Sequence, residues 1–330
     1  MKRQRRNKLK YTISNDHHRI FFNLSLYLLS SFGKTPYKKT GKKTVLSQGS
    51  SWGYSADNGP DKWAEKYPLC GASSQSPLDL DVSTAPASNV TGALEFIGYE
   101  TPLPATVSQN SHTFTLKPIE AKTAKLCLKE GSEKLLFCPG DSLPTIKGGS
   151  LPVGEIFEFA QFHLHWGKDD TKGSEHRLVG AMLPAEIHLV HWNKKYGDFG
   201  TAAAQSDGLA VVGFFYQVAA SSNAKYTPIL DGLKKLPGTE NNFEVDIGSI
   251  TLNDLIPAGA TDHLHYKGSL TTPPCLESVF WNVFTDKIDL SDADLAVIRG
   301  VTDETGKSLS DNYRPPQPLN GRTVYSFKKA

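Results

Sequence analysis

Beyond residue 51, apolar and polar positions alternate in short runs broken by Pro and Gly, the period-2 pattern of strands rather than the 3.6-residue period of helices. Strands are predicted at 113–116, 157–166, 186–192, 209–218 and 277–284. Helical spacing is confined to short pieces: 226–236, 251–255 and 291–299, the last opening on Ser291 as a capping residue. No internal repeat and no Gly/Ser-rich linker divides this body.

Two of the strands carry imidazoles. In Gln161-Phe162-His163-Leu164-His165-Trp166, alternation turns Gln161, His163 and His165 to one face and Phe162, Leu164 and Trp166 to the other. In the segment 186–192, Glu186, His188 and Val190 share a face, and His191 points to the opposite side. Laid beside each other in one sheet, the two segments can supply three imidazoles to one place. Three neutral imidazoles with a fourth position open suit catalytic zinc, because structural zinc sites more often close with four protein ligands, typically including Cys. A lone strand His is more often a simple hydrogen-bonded residue. What favours a ligand set is that Gln161 and Glu186 each stand two residues before a His on the same face, where they can hold the imidazole nitrogen turned away from a metal.

Composition adds compartment and excludes partners. The 330 residues hold 36 basic and 34 acidic side chains, but residues 1–51 contain 12 Lys/Arg and one acid, which leaves 24 bases against 33 acids in the rest. A mildly acidic body has no dense basic face for phosphates, so nucleic acid is not expected as its partner. The leader pairs a basic stretch, 1–19, with an apolar run, 20–32. Thirteen residues fall short of the ~20 that span a bilayer, so a signal peptide is favoured over a membrane anchor, with an uncleaved anchor or an intracellular arm as the alternatives. The body of about 280 residues is long enough for one full core, and length alone leaves two smaller domains open. The H-E-x-x-H signature is absent, as are G-x-S-x-G, a Walker loop and G-x-G-x-x-G, which disfavours zincin proteases, common serine hydrolases and nucleotide or dinucleotide binding.

The motifs QFHLHWG, GSEH, EIHLVHWNKKYGDFG, GLAVVG, GSLTTPP and DNYRPPQPLNGR, in this order from about Trp52 to the C-terminus, resemble the alpha-class carbonic anhydrases. The resemblance implies a single α/β domain over 52–330, mainly β, around a large, mostly antiparallel twisted sheet with short peripheral helices and zinc in a central cleft. It implies that His163, His165 and His188 hold Zn2+ and that a zinc-bound hydroxide attacks carbon dioxide to give bicarbonate. Thr271 is then the hydroxyl that orients this hydroxide and donates to Glu175, and His112 is the proton shuttle. By the same resemblance Val190, Val211, Leu270, Thr272 and Trp281 form the substrate pocket. Gln161, Glu186, Tyr54, Asn110 and Thr115 line the second layer and the solvent network, with Thr115 departing from the Asn common in fast members. Each of these pocket and loop residues would otherwise read as core filler or an ordinary loop. His176 and His191 read as structural hydrogen-bonding residues, and His263 and His265 are left unassigned.

Cys70 and Cys275 match the disulfide of the family's extracellular members, whereas Cys127 and Cys138 flank a hairpin-like insertion and either pair or remain thiols. Together with the leader and the sequon Asn89-Val90-Thr91, the first pair points to secretion. The expected function is zinc-dependent hydration of carbon dioxide, with carbon dioxide and bicarbonate as the only partners and no obligatory protein partner. The rival is a catalytically weak relative kept as a binding or matrix protein.

Overall fold

The computed structural model describes residues 52–90, 92–119, 142–236, 243–303 and 305–329, and the backbone of 126–128 and 135–137. The basic leader with its apolar run, Thr91 of the sequon and Cys138 lie outside the described residues. Fifteen strands are present among those described: β1 Asp79–Leu80, β2 Leu94–Ile97, β3 Leu103–Gln109, β4 Phe114–Pro118, β5 Leu126–Leu128, β6 Leu135–Phe137, β7 Thr145–Gly148, β8 Phe157–Trp166, β9 Arg177–Leu178, β10 Ala185–Asn193, β11 Leu209–Val218, β12 Glu244–Ile250, β13 His263–Gly268, β14 Val279–Leu290 and β15 Tyr325–Phe327. The α-helices are short: α1 Trp63–Lys66, α2 Phe199–Ala203, α3 Thr227–Leu233 and α4 Asp292–Arg299. None is long and apolar enough to cross a membrane.

Eleven strands form one sheet, in the order β12-β3-β4-β8-β10-β11-β14-β13-β15, with β7 paired to β8 and β2 to β7. All its pairings are antiparallel except β11 with β14, so the sheet is mixed, and the mostly antiparallel expectation holds with that one exception. Strands β5 and β6 pair antiparallel, as the hairpin reading of that insertion requires. Ser291 caps α4 by accepting the Asp294 N–H, as its position predicts.

One face of the sheet packs the main core, which includes Phe162, Leu164, Trp166, Ile187, Leu189, Val212 and Phe214. The register between β8 and β10 slips by one residue near Ala160, since Val190 faces Gln161 whereas His191 faces Phe159. This bulge reverses the alternation of β8. It lets Phe157 and Phe159 join Phe162 and Leu164 in the core and leaves Gln161, His163 and His165 on the other face. His191 stays on the core side, where it hydrogen-bonds the Tyr99 hydroxyl at 2.6 Å.

A disulfide joins Cys70 to Cys275, with Cα atoms 5.0 Å apart and a sequence separation of 205. Closing so long a loop restricts the unfolded chain and contributes about 2–5 kcal/mol. Locally it fastens the segment after α1 to the loop before β14, beside Trp63.

Burial leaves acid-sensitive histidines in this fold. It pushes His191 down to about 3 and His265 to about 4, so both are neutral when folded but take up protons on unfolding below the ordinary His range near ~6.5. The unfolded state then binds more protons, and stability is full above about pH 6.5 and falls as pH drops from there toward 4. Urea unfolding should therefore show a midpoint that declines between pH 7 and pH 5. A constant midpoint over that interval would contradict it.

Candidate metal centre

The pairing of β8, β10, β11 and β14 arranges the site in two rows. Across the sheet, Thr115, His163, His188 and Gly213 face one another in register, and one step along lie Gln161, Val190, Val211 and Trp281. A polar row of imidazoles thus runs beside an apolar row. His165, across from Glu186, completes the polar side. Gly213 matters to this packing: a Cβ there would stand 3.3 Å from Glu186 Oε1 and 3.8 Å from the His188 ring.

The metal-facing nitrogens of His163, His165 and His188 lie within 4.8 Å of one another, and no fourth imidazole, thiolate or carboxylate among the described residues joins that group. Each imidazole is held by its other nitrogen. His163 Nδ1 contacts Gln161 Oε1 at 3.0 Å, His165 Nδ1 the Asn312 carbonyl at 2.7 Å, and His188 Nε2 Glu186 Oε1 at 2.7 Å. The nitrogens left over are therefore Nε2, Nε2 and Nδ1, turned toward a common point. Burial, reinforced by the neighbouring imidazoles, holds His163 and His165 below the usual His range, which keeps them in the neutral, ligating form. Burial would raise the Glu186 carboxyl, but His176 and His188 beside it more than offset that and hold it well below the carboxylate range.

Two buried atoms at this point have no hydrogen-bond partner, His165 Nε2 and Glu175 Oε2, 3.4 Å apart. An unpaired buried imidazole nitrogen and an unpaired buried carboxylate oxygen are costly, and a cation among the three imidazoles satisfies the first and compensates the charge of the second. The donor set, three imidazoles, fits zinc.

The remaining predicted residues divide. Val190, Val211 and Trp281 are buried in one apolar cluster, with Leu270 packed against it and Trp281 4.8 Å from the His188 ring. Thr271 is buried and Thr272 partly exposed on the same loop, whose Leu270 N–H donates to Leu276 O. The Thr271–Glu175 bond that the resemblance implies is not among the contacts of Glu175: Oε1 accepts the Arg314 N–H at 2.8 Å, and Oε2 has no hydrogen-bond partner but faces His165 Nε2 at 3.4 Å and His188 Nδ1 at 3.9 Å. Tyr54, partly exposed, packs edge-on against Trp63, and burial of its hydroxyl raises its pKa, helped by the charge of Glu175. Asn110 accepts the N–H groups of His112 and Thr113 through Oδ1, so it builds the turn that presents His112. His112 stacks on Trp52 with ring centroids 3.5 Å apart, and burial lowers it to about 4.

Sequence reasoning passed over the roles of Asn312 and Arg314. Arg314 is 2% exposed and ties Gln75, Ser76 and Cys70 together through its guanidinium while its N–H holds Glu175. Both lie within the motif DNYRPPQPLNGR, but the segment is irregular, so no periodicity marked which side chains turn inward. His176 bridges Glu186 and the Tyr266 hydroxyl, a structural hydrogen-bonding role. His263 and His265 contact Thr261 O and Ser88 Oγ and belong to no metal-capable group among the described residues.

A mainly β fold around three converging imidazoles, with a buried apolar cluster beside them, is an arrangement that can hold a catalytic metal. The sequence profile of the eukaryotic-type carbonic anhydrases matches residues 58–328. Mouse "Carbonic anhydrase 1" is 34% identical over 292 residues, covering 83% of this chain and 97% of that protein. The chain belongs to the carbonic anhydrase family, a zinc-dependent family of carbon dioxide hydration, and is a carbonic anhydrase enzyme.

Replacing Glu186 by Gln removes the charge behind His188 while keeping an acceptor. Zinc affinity is expected to fall about 10- to 100-fold, read by competition with a chromophoric chelator. Unchanged affinity would show that the carboxylate does not tune the ligand.

Proposed function

We propose that this chain hydrates carbon dioxide reversibly through a zinc ion held by His163, His165 and His188, with His112 carrying the released proton to buffer. The observation that supports it most is the convergence of three imidazoles, each fixed by an acceptor, next to the apolar row of Val190, Val211 and Trp281. When bound, zinc supplies a Lewis acid that lets water lose a proton near neutral pH.

The chain's own residues supply the rest. Gln161, Glu186 and the Asn312 carbonyl select the tautomers that leave the ligating nitrogens bare. The apolar row, with Leu270 packed against it, takes up a small uncharged molecule and excludes water around it. Glu175 Oε2 has no hydrogen-bond partner, and the proposal gives it the Thr271 hydroxyl as donor. A hydroxyl that donates there has only its lone pairs for solvent, so it fixes the direction of the attacking oxygen. Tyr54, Asn110 and Thr115 are all partly exposed, and the proposal assigns them, on the family resemblance, to ordering the waters along the proton's way out. Stacked on Trp52, His112 is neutral at physiological pH. Turning into solvent returns it toward the ordinary His range near ~6.5, where loading and release of a proton are both easy.

The proposal extends to secretion and to glycosylation of Asn89. Its supports are the basic leader with an apolar run, the disulfide, and the exposed side chain of Asn89 at the head of an Asn-Val-Thr sequon.

A stopped-flow pH-indicator assay on the zinc-loaded chain should show hydration well above the buffer blank, abolished by chelation and restored by zinc. His112→Ala should lower turnover in weak buffer about tenfold or more, with imidazole restoring part of it. Zinc-loaded protein no faster than the blank would instead favour the binding or matrix role.

A further inference from the structure

Asn312 sits on the irregular segment before Arg314, 1% exposed, and its side chain is committed to three backbone partners. Oδ1 accepts the Trp166 N–H at 2.8 Å, and Nδ2 donates to the His112 carbonyl at 2.9 Å and the Leu164 carbonyl at 3.3 Å. One amide therefore clamps the end of β8, the strand of His163 and His165, to the turn that carries His112. The β4–β8 ladder pairs Thr115 with His163 and Leu116 with Phe162, and short of Thr115 the turn needs other ties to β8. Thr113 Oγ1 supplies one, to Leu164 O at 2.6 Å, and Asn312 supplies the other. The amide of His112 is satisfied inside the turn by Asn110, whereas its carbonyl is held from outside by Asn312.

We infer that the Asn312 side chain is a positioning residue for His112, fixing the point from which its imidazole reaches between the zinc ligands and buffer; this rests on the reading of His112 as the proton carrier. The main-chain oxygen of Asn312 separately holds His165 Nδ1. A side-chain substitution leaves that contact possible, so the two tasks can be pulled apart. Proton relays depend steeply on placement, and a freed carbonyl lets the whole turn shift.

The test uses the full zinc-loaded chain. In Asn312→Ala, turnover in weak buffer should fall about fivefold more than kcat/KM for carbon dioxide does, and added imidazole should restore that difference. The His112→Ala, Asn312→Ala double variant should be no slower than His112→Ala alone, since the second residue acts through the first. The Cε1–Hε1 NMR resonance of His112 should move in Asn312→Ala. An unmoved resonance with full turnover, or additive losses in the double variant, overturns the inference. Should the alanine variant fail to fold, Asn312→Asp keeps the acceptor for Trp166 N–H and lacks the donor, and carries the same readouts. Failure of both variants to hold zinc assigns the side chain to stability alone and also overturns it. If His112→Ala leaves the parent's turnover unchanged, the shuttle reading fails instead, and the His112 resonance then decides the positional inference by itself.

Discussion

The register between β8 and β10 is the constraint on which the site depends. It sets His163 against His188 and Glu186 against His165, so three imidazoles and one of their acceptors share a patch of sheet. A one-residue slip would send the imidazoles of one strand to the opposite face. The register is secured by apolar side chains on the far side, Phe162 and Leu164 of β8 and Ile187 and Leu189 of β10, all fully or almost fully buried. The bulge at Ala160 serves the same end, because it keeps Phe159 in the core without moving Gln161 from the face of the imidazoles. Hydrophobic burial on one face thus determines metal chemistry on the other.

Around that patch lies a layer of buried charge and hydrogen bonds that would be expensive if left incomplete. Glu186 serves two imidazoles and also accepts the N–H groups of Glu175 and His176. Arg314, lowered to about 10 by burial yet still cationic at neutral pH, stands behind Glu175 and draws in the Cys70 carbonyl. The disulfide then links that same Cys70 to Cys275, on the loop of Leu270 and Thr271. The covalent staple, the buried guanidinium and the loop of Leu270 and Thr271 are one connected support.

Much of this was legible in the sequence where strands are regular. The expected strands at 157–166 and 209–218 coincide with β8 and β11, and the ligand residues could be placed because alternation alone assigns their face. Strand β14 runs to Leu290, beyond the expected 284, because Thr285, Asp286 and Lys287 read as polar although the last pairs with Phe215. Strands β3, β12 and β13 were not predicted, since Pro104, Gly248 and the charged or His positions in them blur the pattern. The 226–236 helix resolves into a 3-10 turn, Ala224–Tyr226, and α3, with Pro228 in the first turn. The parallel pairing of β11 with β14 left no local signal. Asn312, Arg314 and Trp52 escaped for a different reason. They act from irregular chain, partly through main-chain atoms and across 60 to 244 residues, where neither period nor spacing reports on contact.

The central claim is that three imidazoles, and no other side chain, hold the metal. X-ray absorption at the zinc edge of the full chain loaded with one equivalent tests it most directly. The account predicts three imidazole nitrogens at about 2.0–2.1 Å and one oxygen from solvent. Ligation by the Glu175 carboxylate, by a thiolate, or by fewer than three imidazoles would contradict it.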